Sequence, residues 1–284
     1  MNNLYLRVKK YILDREMIRP GEAVVAGVSG GADSLCLFEV LRKLAEELPF
    51  SLYVVHVHHG LRDSAQGDLL FVEEICRQAG VPCVTVHRDA ACAASAWGTG
   101  VEEAGRRIRY EAFDRACRSI EEEKGTACRI AVAHHREDQA ETVLFHLCRG
   151  TDLRGARGML PVSGRIIRPL LPESRGAIEA FLREKGLSWR EDETNGDISY
   201  TRNYLRAEIL PRLAEGVNPA AAERIAQFAG VCADAERYLS RMTEEGLRRC
   251  AVAEGAGPGT AATAETAVMA VPGGAAPRGL AGGG

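Results

Sequence analysis

Short apolar runs alternate along the chain with longer segments in which apolar residues recur at helical spacing. Short runs rich in β-branched residues are typical of buried strands, whereas recurrence every three to four residues is typical of amphipathic helices. The predicted strands cover residues 23–28, 52–57, 83–87 and 129–133. The predicted helices cover residues 33–47, 67–79, 101–124 and 137–149. This alternation predicts an α/β fold, a parallel sheet with helices on both faces and with binding sites at the carboxyl ends of the strands.

The alternation ends near Gly150. Beyond it we expect a glycine-rich loop at 151–158, a short apolar run at 165–171, and helices at 174–185, 201–213 and 220–249. From about residue 251 the sequence is mostly Ala, Gly, Pro and Thr, which bury too little apolar surface to offset the entropy of ordering. We therefore predict a first domain over residues 1–216, a helical segment over 217–250 and a disordered or non-native low-complexity tail over 251–284.

The composition is ordinary for a soluble protein, and we expect a cytoplasmic location without membrane association. Hydrophobic residues make up 46% and charged residues 26% of the chain, as in ordinary globular enzymes. The formal net charge of −3 disfavours bulk attraction to nucleic acid, so any RNA contact would use local basic patches. The nine cysteines include no C-x-x-C pair, which indicates a reducing compartment and excludes the commonest zinc and iron–sulfur spacings. No run is apolar enough to span a bilayer, and the charged N-terminal segment is unlike a signal peptide.

The first predicted strand leads directly into a glycine-rich turn. Its residues are Ser29, Gly30, Gly31, Ala32, Asp33 and Ser34. Backbone N–H groups and the helix dipole at a strand-to-helix turn attract an anion, and adjacent glycines let it approach closely. The turn lacks the Gly-Lys-Ser/Thr ending of a Walker loop and the G-x-G-x-x-G spacing of a dinucleotide site. We expect it to bind the pyrophosphate end of ATP and to support cleavage between the α and β phosphates. The alternative is a turn that binds nothing.

The fourth predicted strand is followed by A-H-H-R-E-D-Q-A-E-T at residues 133–142. Glu137 and Asp138 fall in the first turn of the next helix, where capping alone would explain them. Asp138 and Glu141, three positions apart, share a helical face above the sheet edge that carries the glycine-rich turn. A carboxylate there can hold Mg²⁺ or accept a proton from an amine. We therefore predict a functional role for Asp138.

Histidines cluster at the end of the second predicted strand, at positions 56, 58 and 59. A zinc site is one interpretation. In an extended chain, however, His56 and His58 face one way and His59 the other, and no cysteine or carboxylate lies nearby at ligand spacing. We prefer a nucleotide-site loop with Arg62 near phosphate or base.

Arginines recur in later segments. Arg106 and Arg109 lie near the start of the predicted helix 101–124, where two interpretations are open. They belong either to a solvated face, with the pairs Glu102–Arg106 and Glu103–Arg107, or to a patch that meets a polyanion. Arg149 precedes the loop at 151–158, which is compatible with a simple helix cap or with a functional lid.

An acidic stretch lies close to a basic one in the second half of the chain. Asp192 and Asn195 belong to the acidic stretch, and Arg202 and Arg206, four positions apart, share one helical face shortly after it. The two stretches suit a pocket for an amino acid and a nucleotide. Surface ion pairs would give a similar pattern.

Taken together, these segments resemble a known enzyme family. S-G-G-x-D-S is typical of the PP-loop ATP pyrophosphatase superfamily. A-H-H-x-x-D-Q-A-E-T, E-D-x-x-N and R-N-x-x-R are together specific to the tRNA(Ile)-lysidine synthase family. The resemblance extends from about residue 23 to about residue 213 and includes H-G-L-R, E-x-x-x-R-x-x-R-Y, R-G and R-P-L.

The resemblance implies an ATP-dependent ligation on tRNA. The C2 oxygen of the wobble cytidine in an isoleucine tRNA with a CAU anticodon is adenylated, and the ε-amine of lysine then displaces AMP. The implied cofactors and partners are ATP, Mg²⁺, L-lysine and tRNA(Ile).

The resemblance also implies roles for individual residues. The residues of the glycine-rich turn would bind ATP. Catalytic roles are implied for Asp33, Asp138, Arg106 and His135, with Mg²⁺ at Asp138. Substrate or tRNA binding is implied for His59, Arg62, Arg109, Glu141, Arg149, Asp192, Asn195, Arg202 and Arg206.

The sequence departs from the family pattern in two places. The family usually carries two aspartates in the fourth motif, and here the first of them is Glu137, which keeps the charge. Beyond about residue 249 the family continues into a further tRNA-binding domain, which we expect to be truncated in this chain. The alternative functions are a tRNA thiolase, for which the paired cysteines are missing, and a nucleotide-binding module without chemistry. The oligomeric state is left open, a homodimer included.

Overall fold

The computed structural model describes residues 3–58, 65–190 and 201–254. Within them a six-stranded sheet has the strand order β3-β2-β1-β4-β6-β5. The strands are β1 (Ala23–Gly27), β2 (Ser51–His58), β3 (Cys83–His87), β4 (Cys128–Ala131), β5 (Val162–Ser163) and β6 (Ile166–Ile167). Neighbouring strands pair in parallel, except that β5 is antiparallel to β6.

Helices follow most of the strands. They are α1 (Leu4–Asp14), α2 (Ala32–Ala45), α3 (Ala65–Ala79), α4 (Ala90–Trp97), α5 (Val101–Lys124), α6 (Arg136–Cys148), α7 (Leu153–Ala156), α8 (Arg175–Glu184), α9 (Thr201–Tyr204), α10 (Leu210–Gly216) and α11 (Ala221–Glu254). A π-helical turn, Leu205–Ile209, lies between α9 and α10.

The central strand β1 shows why helices cover both faces of the sheet. Val24 and Ala26 belong to a core that also contains apolar residues of α1, α2 and α8. Ala23 and Val25 belong to a second core, which contains Phe113 of α5. Successive residues of a strand point to opposite faces, so a strand that is apolar throughout is buried on both. The predicted α/β fold, a mostly parallel sheet with helices on both faces, is confirmed.

The carboxyl ends of β1 and β4 meet at one edge of the sheet. β1 pairs with β4 in parallel, with Ala26 opposite Ala131. The loops that follow the two strands therefore leave the sheet side by side. His56, in β2 on the other side of β1, contacts the start of the first of these loops. Its Nδ1 lies 2.8 Å from the carbonyl oxygen of Val28, and its ring is buried.

Some elements differ from the expectations. Helices α1 and α4 and strand β5 were not expected, and α7 lies inside the segment expected to be a loop. The helix expected at 201–213 contains the π-helical turn, and α11 extends to Glu254 instead of ending near residue 249. The first residues of the predicted tail are therefore helical, and residues 255–284 lie outside the described ranges.

The chain divides into two compact units, Met1–Tyr238 and Leu239–Gly284. The boundaries proposed at residues 216 and 250 remain predictions. In the part of the chain that the structure describes, no helix is both long and apolar enough to cross a membrane.

The packing of β1 against α5 yields a stability prediction. A Cβ atom on Gly27 would press on Cζ of the buried Phe113 ring and approach its Cε2 to 3.0 Å. Gly27→Ala is therefore expected to lower the free energy of unfolding by about 1–3 kcal/mol, as overpacking of a dense core does. Urea unfolding measures the change.

Gly176→Ala is the matched control. A Cβ on Gly176, in the first turn of α8, would meet nothing within 4 Å. Alanine also has the higher helix propensity, so this variant should be at least as stable as the parent chain. Equal unfolding free energies for Gly27→Ala and the parent chain would show that Phe113 moves aside freely.

Candidate active site

The loop after β1 is shaped for an anion. Gly30 has a φ of +93°, a left-handed conformation that glycine adopts without strain. Ser34 Oγ accepts from the backbone N–H of Ser29 at 3.1 Å and donates to the carbonyl of Gly31 at 2.9 Å. Gly31 is the N-cap of α2, and as glycine it has no side chain with which to cap the helix. The first N–H groups of α2, which a helix leaves without partners of its own, are therefore suited to bind an anion.

A histidine joins the carboxylates that follow β1 and β4. His135 Nε2 lies 3.7 Å from Asp33 Oδ2 and 3.5 Å from Asp138 Oδ2, and its Nδ1 lies 3.0 Å from Glu137 Oε2. Desolvation disfavours the charged ring. The hydrogen bond to Glu137 and the charges of Asp138 and Asp33 outweigh it, so that the pKa of His135 is raised. The expected convergence of Asp33, His135 and Asp138 is present in the structure.

Asp138 caps α6 and also faces this cluster. Its Oδ2 accepts from the backbone N–H of His135 at 2.9 Å. Capping and a place in the site, posed as alternatives from sequence, therefore coexist. Desolvation opposes ionisation of Asp138, but the charges of His135 and Arg206 and the hydrogen bond from the backbone N–H of His135 prevail and lower its pKa. Asp138 is therefore ionised at neutral pH.

Arg206 holds Asp138 and Glu141 together. Its Nη2 lies 2.8 Å from Asp138 Oδ1, and its Nε lies 2.6 Å from Glu141 Oε1. The side chain of Glu141 is only 3% exposed. Desolvation raises the pKa of Glu141 in spite of the bonds from Arg206. The shared face predicted for Asp138 and Glu141 is thus occupied by one arginine, which reaches it from the π-helical turn.

Arg175, at the start of α8, is a site residue that sequence reasoning missed. Its Nη1 lies 2.5 Å from Asp33 Oδ2, and its backbone N–H donates to Glu137 Oε2 at 3.0 Å. The other oxygen of Asp33, Oδ1, is buried without a hydrogen-bond partner in the described part of the chain. Desolvation raises the pKa of Asp33, against the lowering by His135 and Arg175.

A basic cluster adjoins the carboxylates. It consists of Arg106, Arg109, Arg168 and Arg202. Among the described residues, no carboxylate lies within ion-pair distance of these arginines. Desolvation, followed by repulsion from Arg106, lowers the pKa of Arg109, and Arg202 contributes to the same repulsion. The Nε atom of the buried Arg168 has no hydrogen-bond partner within the described residues. Such a cluster is suited to bind phosphate.

His134 lies between the acidic and the basic groups. Desolvation lowers the pKa of His134 to about 3, and the charges of Arg168, Arg106 and Arg109 act in the same direction against that of Asp138. The ring is therefore neutral at physiological pH. Its Nδ1 has no hydrogen-bond partner in the described ranges. Neither His134 nor Arg168 was assigned a role from sequence, although both stand in quoted motifs.

Comparisons with known proteins identify the family of this chain. A family model described as a PP-loop domain matches residues 3–213. A tRNA(Ile)-lysidine synthase of Geobacter sulfurreducens is 41% identical over 246 residues, which cover 86% of this chain and 51% of the relative. One of Chlorobaculum tepidum is 38% identical over 236 residues, which cover 81% and 70%. The chain belongs to the PP-loop family of tRNA(Ile)-lysidine synthases. It spans about half the length of the first of these relatives.

A solved structure has a similar fold. The U34-tRNA thiolase NcsA from Methanococcus maripaludis, solved with its [4Fe-4S] cluster, matches with a TM-score of 0.62 at 19% identity. The match covers 81% of this chain and 77% of the thiolase. At this identity it shows a shared fold alone, which is the PP-loop fold.

Some residues and ion pairs that the sequence predicted are not found in this carboxylate cluster. Arg149 stacks on Phe145 at the far end of α6, where it lines an open cavity away from the carboxylates. Arg107 pairs with Glu111 at 2.9 Å, so the predicted Glu103–Arg107 pair is wrong. Arg106 stacks on Tyr110 and forms no pair with Glu102 in the described chain. The predicted residues His59, Arg62, Asp192 and Asn195 lie outside the described ranges.

Arg206 is the ion-pair partner of the buried Glu141, which leads to a stability prediction. Arg206→Ala would leave Glu141 buried and charged without its partner, which should lower the free energy of unfolding by about 1–3 kcal/mol at pH 7. Because the pKa of Glu141 is already raised, protonation spares the cost of burying its charge. The loss should therefore shrink as the pH falls below neutral and Glu141 takes up a proton. Chemical denaturation at several pH values measures it.

Arg212→Ala is the control for this variant. Arg212 pairs with Glu208 on the exposed side of the neighbouring helix, and breaking such a pair should cost at most about 1 kcal/mol. Glu141→Gln combined with Arg206→Ala should restore part of the stability, since a neutral amide needs no counter-charge. A loss that is the same at every pH would contradict this account.

Proposed function

We propose that this protein ligates L-lysine to C2 of the wobble cytidine of an isoleucine tRNA with a CAU anticodon. ATP first adenylates the cytidine, pyrophosphate is released, and lysine then displaces AMP. One observation carries the proposal: the uncapped start of α2 faces the cluster of Asp33, His135 and Asp138. A helix start suited to phosphate and a pair of carboxylates thus share one sheet edge in a chain of the lysidine synthase family. A cytoplasmic location belongs to the same proposal.

The glycine-rich loop would bind the pyrophosphate part of ATP through backbone N–H groups, with Ser29 and Ser34 fixing the loop. Asp33 fits a role in holding Mg²⁺, because its Oδ1 is buried without a protein partner. Within the described residues, no three His, Cys, Asp or Glu side chains are arranged as a metal centre. One or two carboxylates suffice when substrate phosphates supply further ligands, as is usual for Mg²⁺. The bound ion would neutralise charge on the departing pyrophosphate.

In the first step, the cytidine O2 attacks the α-phosphorus and the bond to the β-phosphate oxygen breaks. Each arginine of the basic cluster can hold a phosphate of the tRNA or of the nucleotide. Arg168 Nε and His134 Nδ1 are supporting observations, since both atoms are buried without partners within the described chain. Such atoms are satisfied when a polar substrate binds.

In the second step, the lysine nitrogen attacks C2, the C2–O bond breaks and AMP leaves. The ε-amine attacks in its unprotonated form, after it has given a proton to solvent. Its nitrogen becomes positively charged as the C–N bond forms, and this second proton is then also released to solvent. Asp138 is suited to stabilise that charge, because its lowered pKa keeps it ionised. Both of its oxygens accept hydrogen bonds from the chain, which fixes the carboxylate in place. We therefore assign Mg²⁺ to Asp33 and not to Asp138, where the family resemblance implied it, and we assign the lysine amine to Asp138.

Incorporation of radiolabelled lysine into a transcript of isoleucine tRNA with a CAU anticodon tests the proposal. We expect incorporation that requires ATP and is accompanied by release of AMP and pyrophosphate. The same transcript with a GAU anticodon lacks the wobble cytidine and should incorporate none. Sulfur transfer instead of lysine incorporation would identify the alternative, a tRNA thiolase.

Asp138→Asn tests the charge of that side chain. Asparagine also caps helices, so α6 should remain intact, and we expect turnover to fall by roughly 100-fold or more if the charge is catalytic. Asp89→Asn makes the same exchange at the N-cap of α4, outside the carboxylate cluster, and should leave turnover unchanged. Lysine incorporation and melting temperature are measured for both. Normal turnover of Asp138→Asn would leave this residue with capping alone.

Arg109→Ala tests the basic cluster. Loss of a phosphate contact should raise the KM for tRNA about tenfold and reduce the slope of log affinity against log salt by about one, with the KM for ATP unchanged. Arg107→Ala is the control, because Arg107 lies on the same helix and pairs with Glu111. Equal salt slopes for the two variants would place Arg109 outside the tRNA interface.

A further inference from the structure

Arg190 contacts the glycine-rich loop through its backbone. The N–H group of Arg190 donates to the carbonyl oxygen of Gly30 at 3.0 Å. Its side chain turns the other way and donates from Nε to Asp68 Oδ1 at 3.1 Å. Asp68 lies in the first turn of α3. One residue therefore connects the loop after β1 to a helix on the other side of it.

The bond to Gly30 fixes a peptide plane. A trans peptide is planar, and its C=O and N–H groups point in opposite directions. The carbonyl of Gly30 and the N–H of Gly31 belong to the same peptide. Because Arg190 holds the carbonyl, the N–H of Gly31 is turned towards the inside of the loop, where Ser29 Oγ lies 3.5 Å away. At that distance the bond to Ser29 is weak, and the N–H is available to an anion.

The peptide between Gly30 and Gly31 is the most flexible part of the loop, so a hydrogen bond from another segment has most effect there. Gly30 has a φ of +93°, and a Cβ added to it would make only ordinary contacts, 3.4 Å from Phe71 and 3.6 Å from Arg190. Conformation, not space, therefore calls for glycine here. Glycine is also the residue with the greatest backbone freedom, so the peptide it begins is the easiest to rotate. A hydrogen bond from Arg190 removes that freedom.

The side chain of Arg190 is anchored on a surface shaped to receive it. A Cβ on Gly67 would lie 2.8 Å from Arg190 Nη2, so the absence of a side chain at position 67 leaves room for the guanidinium. The side chains of Arg190 and Asp68 are 47% and 18% exposed. An ion pair this exposed adds little to the stability of the fold. Its position is suited instead to hold the backbone of Arg190 beside Gly30.

We propose that Arg190 is a positioning residue for ATP: its backbone N–H orients the Gly30–Gly31 peptide towards the pyrophosphate, and Asp68 anchors its side chain. The inference rests on the proposed function, since it assumes that the loop binds ATP. Arg190 acts through the loop and touches no reacting atom.

Arg190→Pro removes the N–H group, while Arg190→Ala and Asp68→Ala keep it and remove only the anchor. The affinity for ATP with Mg²⁺ is measured by calorimetry, and kcat by pyrophosphate release at saturating ATP, tRNA and lysine. We expect Arg190→Pro to bind ATP roughly tenfold more weakly, as the loss of one hydrogen bond allows. Its kcat should remain within about twofold of the parent value, because only the binding of ATP is affected. The anchor variants should each lose about twofold to threefold in affinity, and their combination no more than either alone.

Arg77→Ala is the matched control. It breaks an exposed ion pair with Glu74 on the same helix α3 and leaves the glycine-rich loop untouched, so its ATP affinity should equal that of the parent chain. Melting temperatures are compared for all variants. A parallel fall of melting temperature, affinity and kcat in Arg190→Pro would indicate a purely structural role and overturn the inference.

The remaining outcomes are decisive as well. Parent-like affinity in Arg190→Pro, or in both anchor variants, overturns the inference and leaves the proposed function intact. If Arg190→Pro fails to fold, the anchor variants decide, and an equal, non-additive loss of affinity supports the link. If the parent chain binds no ATP, the proposed function fails and the inference fails with it.

Discussion

The parallel pairing of β1 with β4 is the constraint on which the site depends. Two loops that are about a hundred residues apart in sequence leave the sheet at adjacent positions because these strands are neighbours and run in the same direction. The first loop brings the N-terminus of α2, which attracts anions, and the second brings carboxylates on α6. An antiparallel pair would place the two loops at opposite edges. Strand order thus determines which two loops meet at the site, whatever side chains they carry.

Bringing carboxylates together carries an electrostatic cost, which two arginines offset. Asp33, Glu137, Asp138 and Glu141 lie in a partly buried region, where like charges repel more strongly than in water. Arg206 donates to Asp138 and Glu141, and Arg175 donates to Asp33, so that both guanidinium groups counter this repulsion from within the cluster. His135, whose pKa is raised by the same carboxylates, lies between them. The same contacts fix the side chains in place before any substrate arrives. Preorganised charge of this kind needs no rearrangement during a reaction.

The sequence predicted the elements whose signals are local. Strand β3 and helix α5 match the expected bounds, and Asp33 and Asp138 converge as two loops at one sheet edge must. The sequence did not indicate Arg175, which meets Asp33 across 142 positions and opens an ordinary amphipathic helix. The predicted Glu103–Arg107 pair failed because Glu111, four positions further on, offers the same spacing. Helical spacing limits the candidates for a pair, and only packing selects one.

The neutral ring of His134 separates the carboxylate cluster from the basic cluster, so that each cluster keeps its own electrostatic potential. If His134 were protonated, its charge would extend the basic cluster to Asp138 and cancel part of the negative potential there. A pKa of about 3 keeps the ring neutral at any physiological pH, so the separation between the two clusters does not change with pH. The chain as a whole has a net charge of −3, and at physiological salt each cluster acts over roughly 8–10 Å. Under the proposed function, a cationic amine and an anionic tRNA must meet within one site. Two screened clusters of opposite sign, separated by a neutral ring, can attract each of them to its own side.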